Sequence, residues 1–168
     1  MLHAVDDLLV EVGYADMTMK NIAERAGVSR QTVYRWWSTK AEILFEATVE
    51  DALDELVVPP GNDAVAELTA YLEAVMEFLV HSTAGAGYRA LVGEAQHDRA
   101  VADLIGSRDV LSESAECVIE RVFAESKPEG ESLDQAAARL VGPVLHWILS
   151  GNDPDRLDLR RLAEQFRR

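Results

Sequence analysis

The sequence predicts an all-α fold, and three observations carry that prediction. Apolar residues recur at spacings of three and four through most of the 168 residues, which is the period of a helix. No stretch of useful length alternates apolar and polar residues as a half-buried strand does. Capping residues, glycines and prolines divide the chain into about nine segments of helical length.

A first amphipathic helix and two short capped helices are expected at the start of the chain. The first helix follows from one apolar stripe, formed by Leu2, Val5, Leu9 and Val12. Gly13 is placed to cap its end, and Thr18 can cap a second helix that runs to about Ala26. Gly27 then permits a turn before Ser29 caps a third helix.

A fourth, longer helix should precede the first strong break. Residues 39–42 read Thr-Lys-Ala-Glu, a capping box, so this helix should begin there and reach about Leu56. The Pro-Pro-Gly sequence of residues 59–61 ends it. We therefore predict a domain over residues 1–56 and a larger helical domain over residues 57–168.

Five more helices are expected in the larger domain. Residues 82–87 should break the fifth helix, and a sixth is short. A seventh spans residues 98 to about 125, where Gly106 and Ser107 permit a bend. A polar loop over residues 127–131 leads to the eighth, Leu133–Leu149, and Asp153 with Pro154 should start the ninth.

The distribution of charge points to nucleic acid although the total does not. The formal net charge is −14, which opposes binding to phosphate. Between Thr18 and Lys40, however, five basic residues stand against Glu24 alone, a net +4, so the rest of the chain carries −18. A basic segment on an acidic body is typical of a small DNA-binding module carried by another domain.

The same basic segment contains the pattern of a helix-turn-helix. Small and apolar residues fall where two helices must cross closely, turn sharply and enclose a small core: Ile22, Ala23, Ala26, Gly27, Val28 and Val33. The pattern coincides with both predicted caps and with a preceding amphipathic helix. Together these features favour a DNA-binding helix-turn-helix.

The segment LVEVGYADMTMKNIAERAGVSRQTVYRWWSTKAEIL resembles the DNA-binding domain of TetR/AcrR-type transcriptional regulators. The similarity lies in its GY, T-x-x-x-I-A-x-x-A-G-V-S, V-Y and S-T-K-x-x-I-L pieces and covers about residues 2 to 53. It implies a three-helix DNA-binding domain with the start of a fourth helix, and a helical C-terminal domain that binds a small molecule and dimerises. Family members usually carry several more, often basic, residues before the first helix, so an arm that reaches the minor groove is expected to be missing.

The third helix should divide into a buried face and a DNA-reading face. On a helical wheel Val33 and Trp37 share the inner side, whereas Arg35 points outward. Gln31 and Thr32 suit base edges in the major groove, and Arg30 can reach a guanine or a phosphate.

Other residues are expected to hold the DNA backbone. Tyr34 resembles the family's phosphate-binding tyrosine, and Arg35 and Lys40 can neutralise phosphates. Thr18, Lys20 and Ser29 lie near the starts of the two helices, where Thr18 and Ser29 also serve as caps. Arg25 is interpreted as a solvated surface charge. Trp36 remains open between a phosphate contact and packing against the first helix.

The last two helices are expected to form a homodimer that reads a palindromic operator. Their apolar stripes are unusually broad and comprise Leu140, Val141, Val144, Leu145, Ile148, Leu149, Leu159, Leu162 and Phe166. Packing inside a larger monomer core is the alternative. Pro143 should kink the eighth helix because it removes a backbone hydrogen bond.

A cavity for a small-molecule effector is expected among helices five to eight. Its candidate residues, by chemistry and position, are Met76, Tyr88, Leu91, Cys117, Arg121, His146 and Trp147. For each of these, ordinary packing is an alternative.

Several other functions are not indicated. The four histidines and one cysteine form no metal-ligand spacing, and no nucleophile or phosphate-loop motif occurs, so we expect no metal, no cofactor and no enzymatic activity. The longest uncharged run is too short for a membrane span, and the lone Cys117 fits a reducing cytoplasm. The predicted function is a transcriptional regulator, in the first place a repressor released by an effector. The alternative is a ligand-binding helical dimer whose DNA binding is weak or lost.

Overall fold

A computed structural model describes residues 1–124 and 130–167, and all the regular structure in those residues is helical. Ten α-helices occur there: α1 Leu2–Asp16, α2 Met19–Arg25, α3 Arg30–Tyr34, α4 Lys40–Glu55, α5 Ala64–His81, α6 Thr83–Glu94, α7 Arg99–Ser107, α8 Val110–Val122, α9 Leu133–Leu149 and α10 Leu159–Phe166. A 3-10 helix, Pro154–Arg156, precedes α10. The predicted all-α class is therefore confirmed. Within the described ranges, no helix has the length and apolar character that a membrane span requires.

The helices form two compact units, each built from two separate stretches of chain. Unit 1 comprises Met1–Ala52 and His81–Arg108, and unit 2 comprises Leu53–Val80 and Asp109–Arg168. A single cut after residue 56 does not describe this packing, because α6 and α7 pack with the N-terminal helices. The division of function between residues 1–56 and 57–168 remains a prediction.

The predicted helix starts are confirmed by their hydrogen bonds. Thr18 and Asn21 form a reciprocal capping box: the Thr18 side chain accepts from the Asn21 amide at 3.2 Å, and the Asn21 side chain accepts from the Thr18 amide at 2.7 Å. Ser29 Oγ accepts from the Thr32 amide at 3.1 Å. Thr39 Oγ1 accepts from the Glu42 amide at 3.2 Å. Each cap satisfies an amide that has no partner inside its helix.

Two of the predicted breaks between helices differ from the structure. Gly13 does leave helical geometry, with φ +75°, but the chain resumes helical turns and α1 ends at Asp16. The fifth helix ends at His81, directly before the predicted break, but the break is Ser82 alone and not residues 82–87, because Ser82 Oγ accepts from the Gly85 amide at 3.2 Å and α6 begins at Thr83. One capping serine is enough to start a new helix directly after α5.

The later part of the chain contains one more helix than predicted. The bend allowed near Gly106 is a full break, after which the Asp109 side chain accepts from the Leu111 amide at 3.2 Å and starts α8. Asp153 and Pro154 start only the 3-10 helix, and α10 has its own cap in Asp158. The predicted loop over residues 127–131 falls largely outside the described residues.

Each unit has its own apolar core. In unit 1 the core joins α1, α2, α3, α4, α6 and α7 through Val5, Leu8, Leu9, Ile22, Val33, Ile43, Leu44, Leu91 and Val101. In unit 2 the largest buried side chains are Tyr71, Phe78, Leu68, Leu72, Leu79, Leu111 and Ile119. Burying one such side chain stabilises the folded state by about 2 kcal/mol. The core of unit 1 thus packs α2 and α3 together through Ile22 and Val33.

Candidate nucleic-acid interface

Helix α3 is short, and a single residue anchors it. Val33 is fully buried, whereas Arg30, Gln31 and Thr32 are exposed. Arg35 caps the C-terminal end, and the Trp36 and Trp37 amides both donate to the Val33 carbonyl at 3.0 Å. The observed helix is therefore shorter than the predicted one, which included Trp37, and the two tryptophans follow the end of α3.

The exposed side of α3 brings together half of the ten predicted DNA-contacting residues. A shallow concavity of about 480 Å³ is lined by Ser29, Gln31, Thr32, Tyr34 and Arg35. Thr32 Oγ1 lies 2.9 Å from Ser29 Oγ, so these two hydroxyls orient each other. Helix side chains presented in this way match the geometry by which a recognition helix enters a major groove.

Only some of the basic residues of the N-terminal segment are free to meet phosphate. The Lys20 ammonium lies 3.7 Å from Glu24 Oε1. Both side chains are exposed, so solvent weakens the attraction between the two charges. Arg30 and Arg35 have no acidic partner among the described residues. The cationic character of the surface therefore rests on these two arginines, with a contribution from Lys20.

Arg25 has a structural role that the sequence interpretation missed. Its guanidinium pairs with Asp7 at 3.4 Å and with Glu11, so that it joins α2 to α1. The hydrogen bond from Arg25 lowers the pKa of the Glu11 carboxyl and raises that of the guanidinium. A signal for this contact was present, because Asp7 and Glu11 are four residues apart and share one face of the first helix.

Lys40 also differs from its prediction as a phosphate contact. Its ammonium donates to the Tyr14 carbonyl at 2.7 Å and to the Ala15 carbonyl at 3.2 Å. The same ammonium lies 4.2 Å from the centroid of the Tyr14 ring. Lys40 therefore satisfies carbonyls near the end of α1 from the first turn of α4, and its charge is already engaged within the protein.

The two tryptophans have different environments. Trp37 is half-buried against the core of unit 1, and its indole donates to Glu46 Oε2 at 2.8 Å. Trp36 is 67% exposed, and the Arg35 guanidinium lies 5.4 Å from its ring centroid. The alternative in which Trp36 packs against the first helix is therefore excluded, and its indole is available on the same side as Arg35.

The seven predicted effector-site residues are not gathered in one unit. Tyr88 and Leu91 are buried in unit 1, and the other five belong to unit 2. Cys117 and His146 are exposed, and Met76 is half-buried.

Two polar members of that set are used in other contacts. The Trp147 indole donates to the Asp153 carbonyl at 2.8 Å. Arg121 pairs with the buried Glu67 and donates to the Val58 carbonyl at 3.1 Å. No local pattern indicates this pair, because its partners are 54 residues apart. Met76 and Arg121 remain candidates, with Arg121 already neutralised.

The predicted dimer residues divide by burial. Leu140, Val141, Val144 and Phe166 are buried within one chain. Leu145, Ile148, Leu159 and Leu162 are half-buried, and Leu149 is 47% exposed. The surface that remains for a partner is thus the second half of α9 with α10, and the four buried residues belong to the core of unit 2.

Comparison with known proteins identifies the class that this fold and surface define. The profile described as "Bacterial regulatory proteins, tetR family" matches residues 2–47. The "Uncharacterized HTH-type transcriptional regulator YdeS" of Bacillus subtilis is 36% identical over 156 residues, which span 91% of this chain and 78% of that protein. The "HTH-type transcriptional activator FasR" of Mycolicibacterium smegmatis is 33% identical over 91 residues, covering 51% and 41% of the two chains.

The solved structures agree over nearly the whole chain. The TetR family transcription regulator SCO0332 superposes with a TM-score of 0.72 at 26% identity, covering 98% of this chain and 91% of that one. The protein is a DNA-binding transcriptional regulator of the helix-turn-helix type. It belongs to the tetR family of bacterial regulatory proteins.

Proposed function

We propose that this regulator is a homodimeric repressor that reads a palindromic operator through α3 and leaves it when a small molecule binds in unit 2. The observation that carries the DNA-binding part is the exposed surface of α3, where Gln31, Thr32 and Arg35 surround one concavity and Val33 alone is buried. A reading surface must combine donors and acceptors for base edges with free positive charge for phosphates. This surface has both.

Within that surface the residues take different roles. Gln31 hydrogen-bonds a base, with adenine as the fitting partner, and Thr32 contacts a base edge or a thymine methyl group. Arg30 and Arg35 neutralise phosphates, and Tyr34, which is 54% exposed, donates its hydroxyl to another. Thr18 and Lys20, at the start of α2, contact the other DNA phosphate backbone. The indole N–H of Trp36 adds a phosphate contact next to Arg35.

Dimerisation follows from the small size of the reading surface. One recognition helix covers only a few base pairs, so useful affinity requires two heads on two half-sites. Leu149 is exposed on the last turn of α9, four residues after Leu145 and one after Ile148, and these three side chains form an apolar strip that one chain covers only in part. Together with Leu159 and Leu162 of α10, the strip supplies a self-complementary surface of the kind that two-fold dimers use.

An effector acts by preferring one spacing of the two heads. A small molecule that binds more tightly to the spacing that misfits DNA lowers DNA affinity by a coupling free energy of about 1 to 3 kcal/mol. Met76 and Arg121 are the residues of unit 2 whose chemistry and partial burial suit such a site. The related FasR is named an activator. The direction of regulation is therefore the part of the proposal that a transcription measurement must decide.

The proposal is tested with a reporter gene placed behind the DNA that flanks the protein's own gene. We expect transcription to fall when the wild-type protein is supplied and to return with the Arg35→Gln variant. Arg99→Gln removes an exposed arginine of α7 that pairs with Asp103 at 2.8 Å, so it serves as the charge-matched control and should repress normally. Higher transcription with wild-type protein would show an activator. Unchanged transcription, together with no mobility shift at low salt, would support the ligand-binding dimer instead.

A further inference from the structure

Two hydroxyl groups adjoin on the exposed side of α3. Ser29, the N-cap of the helix, and Thr32 are both exposed and line the same concavity. Their Oγ atoms are 2.9 Å apart, which is a hydrogen-bond distance. Ser29 Oγ also accepts from the Thr32 amide at 3.1 Å. The Thr32 hydroxyl is therefore held toward the residue that begins the helix.

The hydrogen bond between these two hydroxyls can run in either direction. A hydroxyl has one proton to donate and two lone pairs that accept. If Ser29 donates to Thr32, the Thr32 proton is free for an acceptor on a base. If Thr32 donates to Ser29, which has a second lone pair beside the one that the Thr32 amide uses, Thr32 offers only acceptors. Reversal of one hydrogen bond thus adapts the Thr32 hydroxyl to either kind of base edge.

A hydroxyl that adapts in this way discriminates poorly between bases. Direct readout in the major groove depends on matching one fixed pattern of donors and acceptors. Gln31, exposed in the same concavity, has such a pattern, because its amide donor and its carbonyl acceptor are different atoms. Sequence information from Thr32 must therefore come from the other group of its side chain, the methyl.

The Thr32 methyl group has a fixed orientation and one matching base. Oγ1 and the methyl carbon share Cβ, so the contact that holds the hydroxyl also sets the χ1 angle and with it the methyl. Thymine is the base that presents a C5-methyl group in the major groove, and apolar contact with that group distinguishes it from the other three bases. Burial of one methyl group between protein and DNA favours binding about fourfold.

We propose that Thr32 specifies thymine through its methyl group and that Ser29 is the positioning residue that sets the orientation of that methyl. This inference rests on the proposed function, the reading of DNA by α3, and adds to it the base and the chemical group. The hydroxyl of Thr32 is then dispensable for sequence preference, whereas its methyl is required.

The test uses the inverted repeat that the wild-type chain selects from a random duplex library. Each thymine of the half-site is replaced in turn by deoxyuridine, in both halves, which removes the C5-methyl group and keeps every hydrogen-bonding atom. Fluorescence anisotropy at one salt concentration gives the ratio of two Kd values, deoxyuridine duplex over thymine duplex. Thr32→Val lacks the hydroxyl and Thr32→Ser lacks the methyl. The matched control, Thr83→Ser, lacks a methyl on α6, outside the concavity.

Two substitutions of Ser29 test its positioning role. Ser29→Gly removes the hydroxyl at an N-cap, where glycine is tolerated, and Ser29→Thr keeps a hydroxyl that can cap α3. Circular dichroism melting verifies that every variant is folded. A role of Ser29 in capping alone would change stability and overall affinity, but it would not change the ratio of Kd values at one thymine.

We expect a ratio of about four per half-site at one thymine for the wild type, for Thr32→Val and for Thr83→Ser. Thr32→Ser and Ser29→Gly should bring that ratio close to one. Ser29→Thr should retain it, because the hydroxyl contact with Thr32 is kept.

A wild-type ratio near one at every thymine, or a selected half-site without thymine, overturns the inference and leaves the reading of DNA by α3 intact. A ratio that is lost in Thr32→Val and kept in Thr32→Ser also overturns it, because the hydroxyl would then read the base. A ratio unchanged in Ser29→Gly overturns the role of Ser29. Failure of the wild type to select any DNA sequence would instead contradict the proposed function, and this inference with it.

Discussion

At the scale of single residues, the basic side chains of the N-terminal segment have two different tasks. Arg35 follows the last residue of α3 and is exposed, with its guanidinium over the exposed Trp36 ring. Lys40, five residues later, donates to two carbonyls near the end of α1 and lies over the Tyr14 ring. The first is available to DNA, whereas the second holds two helices together. Sequence could not separate them, because both appear as one positive charge in a basic segment.

Substitution of these two residues should therefore give opposite results. Lys40→Met loses charged hydrogen bonds to the α1 carbonyls, and we expect the free energy of unfolding to fall by about 2 kcal/mol. Arg35→Gln should leave stability within about 0.5 kcal/mol of wild type. It should weaken binding to all DNA sequences alike and reduce the salt slope by about 1.

The measurements are urea unfolding and fluorescence anisotropy on duplex DNA at several salt concentrations. Lys20→Met is the matched lysine control for stability, because its pair with Glu24 is exposed. The assignment of Lys40 is contradicted if Lys40→Met retains full stability and lowers the salt slope as much as Arg35→Gln does.

Asp6 gives a prediction for the dependence of stability on pH. Burial, and then the charges of Asp51, Asp7 and Glu50, raise the pKa of the Asp6 carboxyl in the folded state, although the exposed His3 at 3.9 Å acts in the opposite direction. A carboxyl whose pKa is higher when folded costs stability at neutral pH, and that cost disappears as the pH falls through the folded pKa toward the unfolded value.

Asp6→Asn should accordingly raise the melting temperature at pH 7. The gain should shrink as the pH falls toward the ordinary titration range of an aspartate, near 3.8. Thermal melts at closely spaced pH values measure this difference, with Glu73→Gln as an exposed control. A constant difference across the whole range would contradict the assigned cause.

At the scale of helices, starts were more predictable than ends. A start depends on one side chain and an amide two or three residues later, so Thr18, Ser29 and Thr39 could be identified from local sequence. An end depends on what the next segment packs against. The glycines of residues 82–87 indicated a break when considered alone, yet Ser82 starts α6 and Gly87 is buried in the core of unit 1.

Gly87 is required by a close contact between α6 and α4. A Cβ at this position would lie 2.6 Å from Thr48 Oγ1 and 3.1 Å from Leu44 Cδ1. Gly87→Ala should therefore lower the free energy of unfolding by about 1 to 3 kcal/mol, the usual cost of overpacking a core. Gly93→Ala, in the same helix with open space around its Cβ, should instead stabilise by about 0.5 kcal/mol.

A double-mutant cycle tests whether the loss of stability in Gly87→Ala comes from the contact with Thr48. The Thr48 hydroxyl is buried and has no hydrogen-bond partner among the described residues, so Thr48→Ala removes both the clash and an unsatisfied polar group. Combined with Gly87→Ala, it should cost at least about 1 kcal/mol less than the sum of the single changes. Chemical denaturation measures these free energies of unfolding. Additive losses, or equal effects of Gly87→Ala and Gly93→Ala, would show that the close approach of Gly87 to Thr48 does not cause the loss of stability.

At the scale of the whole molecule, the class of fold and the exposed face of α3 could be predicted from sequence, whereas the arrangement within the units could not. The helical period and the motif over residues 18–44 are local signals. The inclusion of residues 81–108 in unit 1 and the pairing of Glu67 with Arg121 both join residues far apart in the chain. For the same reason, the apolar stripe of α9 could not be divided beforehand into core residues such as Val144 and exposed ones such as Leu149.

The central claim is that the exposed face of α3 reads DNA sequence, and selection of binding sites from a random duplex library at low salt tests it most directly. The wild-type protein should enrich an inverted repeat whose half-sites are about 10 base pairs apart, or a multiple of that spacing. Gln31→Ala should relax the preference at one position in each half-site, whereas Arg35→Gln should select the same motif with lower yield. Failure of folded wild-type protein to enrich any motif, or an unchanged motif with Gln31→Ala, would contradict the claim.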